Sequence, residues 1–201
     1  MKDIRLFERE ISLIQSEDLR MFAKYYFETW CPSYFWEIGA SSSGKFHPAF
    51  SQGEGGLVRH TKAVVLFAEE LLRMSSYAYM RDAYKDYVIL ACLFHDTCKY
   101  GLQAQDTTAY AAHALNAASN VASAWRAYFG DDWAFPQYLG NAIISHMGQW
   151  STSADDRPFT PIDRCVHMAD YMASRNFIDI PQIVEEYNRI AEMEEDDNLP
   201  F

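Results

Sequence analysis

Residues 57–72 read LVRHTKAVVLFAEELL. Leu57, Thr61, Val64, Ala68, Leu71 and Leu72 recur at three- and four-residue steps, one stripe of an amphipathic helix. The same period continues outward. Ala111, Leu115, Ala118, Ala122, Trp125 and Tyr128 repeat it, with Ala-rich filling that favours helix. Residues 88–98, 138–146 and 162–174 predict three more helices, and 4–14 and 17–30 two near the N-terminus. Pro181 opens a last one over 183–193, followed by Glu194 to Asp197 as a solvated acidic tail. Residues 31–56 and 150–161, where Ser, Gly, Asp and Pro interrupt the pattern, read as long loops. With no repeat and no shift of composition, the expectation is a single all-α domain, a helical bundle over 1–201.

Composition narrows the function. The chain has 201 residues, 17 Lys and Arg against 28 Asp and Glu, a net charge of −11, and 49% hydrophobic residues. That suits one domain with a sizeable core and argues against disorder. The acidic balance argues against long nucleic acid held mainly by phosphate neutralisation. It leaves a nucleotide open, because a metal can supply positive charge where side chains do not. Met1 to Arg5 shows no apolar signal region, and the longest apolar run, Tyr87 to Phe94, is far below the ~20 residues of a membrane span. Cys31, Cys92, Cys98 and Cys165 form no C-x-x-C pair, so reduced thiols and a cytoplasmic location are expected.

The histidines and aspartates carry the chemistry. His60, the adjacent pair His95-Asp96, His113, His146 and Asp170 lie on or at the ends of predicted helices, mostly among apolar or small neighbours. Buried imidazoles and carboxylates need partners, and a metal satisfies several at once. Nitrogen and carboxylate ligands together suit divalent Fe, Mn, Zn, Co or Ni, as one ion or two. Neighbouring helical residues point about 100° apart. His95 and Asp96 therefore reach one centre only from a helix end, where the Asp96 carboxylate can bridge two ions.

This ordered set resembles the HD-domain superfamily of metal-dependent phosphohydrolases. Gly55 to Thr61 (GGLVRHT), Leu93 to Gly101 (LFHDTCKYG), Ile144 to Gly148 (ISHMG) and Val166 to Tyr171 (VHMADY) are similar to its motifs. With Lys45-Phe46-His47-Pro48, the resemblance covers residues 45–175 as a motif-bearing core. Residues 1–44 are then N-terminal helices and loop, and 176–201 a C-terminal helix and tail. The style is nearest to the HD domain of bacterial 3′–5′ exoribonucleases. Single histidines stand here, His47-Pro48 and His146-Met147, where those enzymes carry pairs, and no OB-type segment is seen, so exonuclease action is not expected.

The resemblance implies a first metal on His60, His95, Asp96 and Asp170, and a second on His113 and His146 with Asp96 bridging. A single ion on the first four is the open alternative. It implies hydrolysis of a phosphoester or phosphoanhydride, in a nucleotide or short oligonucleotide, by metal-activated water, with Asp96 and Lys99 as the catalytic pair. A non-catalytic HD module binding a nucleotide or a protein is the alternative from another class. Lys99, three residues after Asp96, can return to the same mouth and bind phosphate. Lys45 and His47, on the long loop, are the further substrate-binding candidates.

The remaining features weigh less. His167, one turn before Asp170, reads as a partner to a ligand or as a helix-packing residue. Arg59 and Lys62 point off the face of His60, and are expected in solvent or at the cleft rim. Residues 39–46 nearly spell a phosphate-binding loop, but Phe46 replaces the required hydroxyl and no flanking strand is predicted. The aromatics Tyr25, Tyr26, Phe27, Trp30, Tyr34, Phe35 and Trp36 read mostly as core.

Overall fold

A computed structural model describes residues 3–41, 47–102, 112–151 and 153–197. Among these the chain forms eight α-helices and no strand: α1 (Glu8–Ser12), α2 (Glu17–Tyr25), α3 (Gly56–Arg73), α4 (Asp82–Phe94), α5 (His113–Phe129), α6 (Gln137–Ser145), α7 (Pro161–Ala173) and α8 (Pro181–Asp197). The all-α expectation holds. No helix among the described residues is long and apolar enough to cross a membrane.

The stripe in residues 57–72 buries as its spacing requires. Leu57, Val64, Ala68 and Leu71 are all in the core. Yet α3 is apolar on more than one side, and Val58, Ala63, Val65 and Phe67 are buried too. The helix is wrapped: α7 and α4 pack along one flank, while α1, α8 and the turn at 49–51 close the others. The run that was too short for a membrane fills the middle of the bundle. Val88 to Phe94 of α4 are buried throughout, between α3, α6 and α7.

Helix ends follow local chemistry. Thr160 caps α7, its side chain accepting from the Asp163 amide at 3.2 Å while Asp163 Oδ2 accepts from the Thr160 amide at 2.8 Å, with Pro161 in the first turn. α5 stops at Gly130, whose φ of +85° ends the helical path.

Four boundaries differ from expectation. α4 begins at Asp82 and ends at Phe94, so residues 95–98 turn rather than continue the helix. The first expected helix splits into a 3₁₀ turn at Ile4–Phe7, capped by Asp3, and the short α1. The second loosens to a π-wound turn over Tyr26–Trp30. The last extends, because α8 continues helical through Asp197 where a tail was expected.

The aromatic segment is core, as its apolar character suggested. Phe7 stacks on Phe27 at 4.7 Å between ring centroids, and Phe22 meets Phe94 and Trp125 edge-on. All four cysteines are buried free thiols. The near-match to a phosphate loop falls mostly on residues 42–46, outside the described residues.

Candidate metal centre

Five elements deliver the six histidines and aspartates to one buried space. His60 projects from the second turn of α3. The start of that helix is pinned by the long loop, with the Leu57 amide donating to the Ile38 carbonyl at 2.8 Å and Gly56 packed on Ser51. A Cβ on Gly56 would stand 2.3 Å from the Ser51 carbonyl oxygen, so this approach requires glycine. The same loop brings His47 edge-on to His60, 5.2 Å between ring centroids.

His95 and His146 share one construction. Each follows the last residue of its helix, α4 or α6, with helical backbone angles. Each Nδ1 lies on the carbonyl three residues back, Cys92 O at 2.8 Å and Ile143 O at 2.7 Å. These carbonyls belong to a last helical turn, where acceptors lack intrahelical partners. Donation from Nδ1 fixes the tautomer and leaves Nε2 with a lone pair aimed inward. Two helix C-termini, each carrying partial negative charge, therefore face the space, which favours a cation there.

Asp96 stands between two groups of nitrogens. Its Oδ2 lies 3.9 Å from His60 Nε2 and 3.6 Å from His95 Nε2. Its Oδ1 lies 3.1 Å from His113 Nε2 and 3.7 Å from His146 Nε2. Asp170 Oδ1 completes the first group, 3.1 Å from His60 Nε2 and 3.8 Å from His95 Nε2. In the second, His113 Nε2 and His146 Nε2 face each other at 3.1 Å. The donor atoms within each of three overlapping sets, His60–His95–Asp96, His95–His146–Asp170 and Asp96–His113–His146, lie within 4.8 Å of one another.

The donors fit a metal by what they lack. His60 Nε2 and His95 Nε2 are buried without a hydrogen bond, although His60 Nε2 is only 3.1 Å from a carboxylate oxygen. Buried polar atoms are almost always satisfied. Ligands each ~2.1 Å from a common ion stand roughly 3–3.5 Å apart. The donors here stand 3.1–3.9 Å apart, at or slightly wider than that spacing.

Electrostatics agree. Burial alone would raise the Asp96 carboxyl, but Lys99, His95 and His113 together hold it well below the usual carboxylate range. Asp170 is likewise pushed up by burial and pulled further down by His60 and His95. Burial drives His146 down to about 3, with His95 and His113 adding to it, and also lowers His95. For His95 and His146, a lowered pKa beside ionised Asp96 and Asp170 favours the neutral imidazole that metal ligation demands.

A profile of the HD domain family matches residues 57–175, more than half of the chain. The chain belongs to the HD domain family. Members of this family are generally metal-dependent phosphohydrolases that bind divalent metals. Searches of curated proteins and of solved structures found no match.

The other predicted residues divide. Lys99 is buried, its Nζ 2.5 Å from Asp96 Oδ2. Lys45 lies outside the described residues. His167 is not among the converging donors; its Nδ1 meets the His146 carbonyl at 2.7 Å and so holds the segment that follows α6. Lys62 corrects the expectation of a solvated side chain. It is buried, with Nζ on the Leu6 carbonyl at 2.6 Å, Glu10 at 2.9 Å and Glu186 at 3.3 Å. Arg59 is half-buried, bound to the Phe50 and Gln52 carbonyls and lying over the Tyr187 ring.

Two supports were invisible to sequence reasoning. Tyr26 Oη joins Thr97 Oγ1 at 2.7 Å and accepts from Asn120 Nδ2 at 3.1 Å, bracing the turn after Asp96 against α5. Tyr34 Oη donates to the Gly101 carbonyl at 2.6 Å and accepts from the Tyr100 amide at 2.9 Å. An inward tyrosine in an apolar segment was the only available signal.

Proposed function

We propose that this HD-domain chain is a dinuclear metal-dependent phosphohydrolase that cleaves a phosphoester or phosphoanhydride of a nucleotide or short oligonucleotide. One observation carries the reading: the two oxygens of Asp96 face different histidine groups, His60 and His95 from Oδ2, His113 and His146 from Oδ1. A carboxylate so placed would hold two ions, one toward each histidine group. Divalent ions of the Fe, Mn, Zn, Co or Ni type suit the mixed nitrogen and oxygen donors, and when bound they lower the pKa of coordinated water and polarise a phosphoryl oxygen.

The chain's own residues set up the rest. His95 and His146, each anchored through Nδ1, keep their Nε2 lone pairs on target without reorganisation. Asp170 is the more exposed of the two carboxylates, its side chain 18% accessible against 4% for Asp96, which supports substrate approach from the α7 side. Lys99, a buried point charge paired with Asp96, neutralises a phosphoryl oxygen or the leaving group. His47, whose Nδ1 is buried without a partner, borders the His60 side of the same space as a further substrate contact. The net charge of −11 supports a compact phosphorylated substrate over a long polyanion.

The test is turnover of bis-p-nitrophenyl phosphate, nucleoside mono- and triphosphates and short oligonucleotides. Activity abolished by chelation and restored by a transition metal is expected for at least one. Metal-loaded, folded protein inactive on the whole panel would favour a non-catalytic nucleotide- or protein-binding module.

A further inference from the structure

Beside Asp170 and His146 lies a group of side chains that the metal chemistry does not use. The chain leaves α6, turns through Gly148–Trp150, and lays the Trp150 indole over the side of α7. There it stacks on Tyr171, with ring centroids 5.7 Å apart and planes 13° from parallel, and its centroid is 6.4 Å from that of His167. Arg175 adds a cation, its guanidinium carbon 4.2 Å from the Tyr171 centroid and 5.7 Å from that of Trp150. Arg175 Nε donates to the Tyr171 carbonyl at 3.1 Å and a terminal nitrogen to Ser174 Oγ at 2.9 Å, so the guanidinium is fixed in place.

The assembly is rigid and close to the reacting centre. His167, under Trp150, is bonded to the carbonyl of His146, and Tyr171 follows Asp170 directly. Gly148, with φ of +58°, closes the turn so tightly that a Cβ there would lie 2.1 Å from His167 Cε1. One face of Trp150 is spent on Tyr171, the neighbour of Asp170 in α7, yet the residue remains 49% exposed. A large apolar ring held in one orientation beside a phosphate-directed site, with a fixed cation against the stack, is a planar ledge. Aromatic ledges of this kind hold nucleobases, since every base offers a π-face.

We infer that Trp150, backed by Tyr171 and Arg175, is the base-binding ledge of the site. It takes the heterocycle of a nucleotide whose phosphate is directed to the Asp96 centre, and so it selects base-bearing over base-free phosphates. This rests on the phosphohydrolase reading for the placement of the phosphate. The ledge itself is tested by binding, separately from turnover.

The experiment compares adenosine 5′-monophosphate with ribose 5-phosphate, which lacks the base, by calorimetry on the protein as purified. Turnover of both is followed on the same samples. Wild type is expected to prefer the nucleotide by about tenfold or more, the range set by stacking one base on an aromatic side chain. In Trp150→Ala that preference should collapse towards one, while Trp150→Phe should retain most of it. No preference in wild type, or equal losses for both probes in Trp150→Ala, would overturn the ledge, because a purely structural role affects both alike. Base-selective binding without hydrolysis would keep the ledge and remove the hydrolase. Hydrolysis of both phosphates with no base preference would do the reverse.

Discussion

At the scale of single residues, the arrangement depends on charges kept where solvent cannot reach them. Asp96 stays ionised although buried, because burial is outweighed by Lys99, His95 and His113. Lys99 therefore faces two tasks, compensating Asp96 and meeting a phosphate. Lys99→Met should lower turnover about a hundredfold, in the range of losing one charge-stabilising donor, with metal content retained. Loss of metal in that variant would assign Lys99 to holding Asp96 alone. The cysteines give an independent check of burial. Burial pushes the Cys165 thiol up to about 12 and Cys92 above its ordinary 9. A group whose folded pKa is raised keeps its full stabilising contribution below the unfolded value and loses it as pH rises through the folded one. Stability should accordingly fall between pH 9 and about 12, with native thiols unreactive to Ellman's reagent at pH 8 and all four reactive in denaturant.

Among the secondary-structure elements, the decisive positions are helix ends. The ordered histidines and aspartates were legible as a set through their resemblance to the family's motifs, and the helix end that adjacent His95 and Asp96 need to share a centre is present, since α4 ends at Phe94. That His95 and His146 use the same back-donation to a last-turn carbonyl was not legible, since it depends on where each helix stops rather than on spacing. The stacking of Trp150 was not legible for a related reason: a loop residue has no periodicity, and its partners come from α7. Gly148→Ala tests the coupling between that turn and the centre. With positive φ and a Cβ contact on the His167 ring, it should cost about 1–3 kcal/mol, read as a lowered urea midpoint, and weaken metal retention through His146.

Across the whole molecule, α3 is enclosed rather than amphipathic against solvent. Lys62 sits two residues after His60, and its direction away from the metal-binding face was read correctly. The expectation of solvent failed because α1 and α8 cover that side. There Lys62 ties the N-terminal turn, α1 and α8 to α3 through Leu6, Glu10 and Glu186. Both Lys62 and Glu10 are 1% exposed, and burial raises the Glu10 carboxyl despite the pull of Lys62. Removing one partner of a buried pair strands the other, so Lys62→Ala should destabilise by roughly 3–5 kcal/mol in denaturant unfolding. Replacing both with apolar residues, as in Lys62→Met with Glu10→Leu, should recover much of that loss. The central claim, that the enclosed bundle converges on a centre for two ions bridged by Asp96, is tested most directly by elemental analysis of the purified protein beside Asp96→Ala. The account predicts about two transition-metal equivalents per chain, both lost in the variant. Folded wild-type protein that takes up no metal would contradict it.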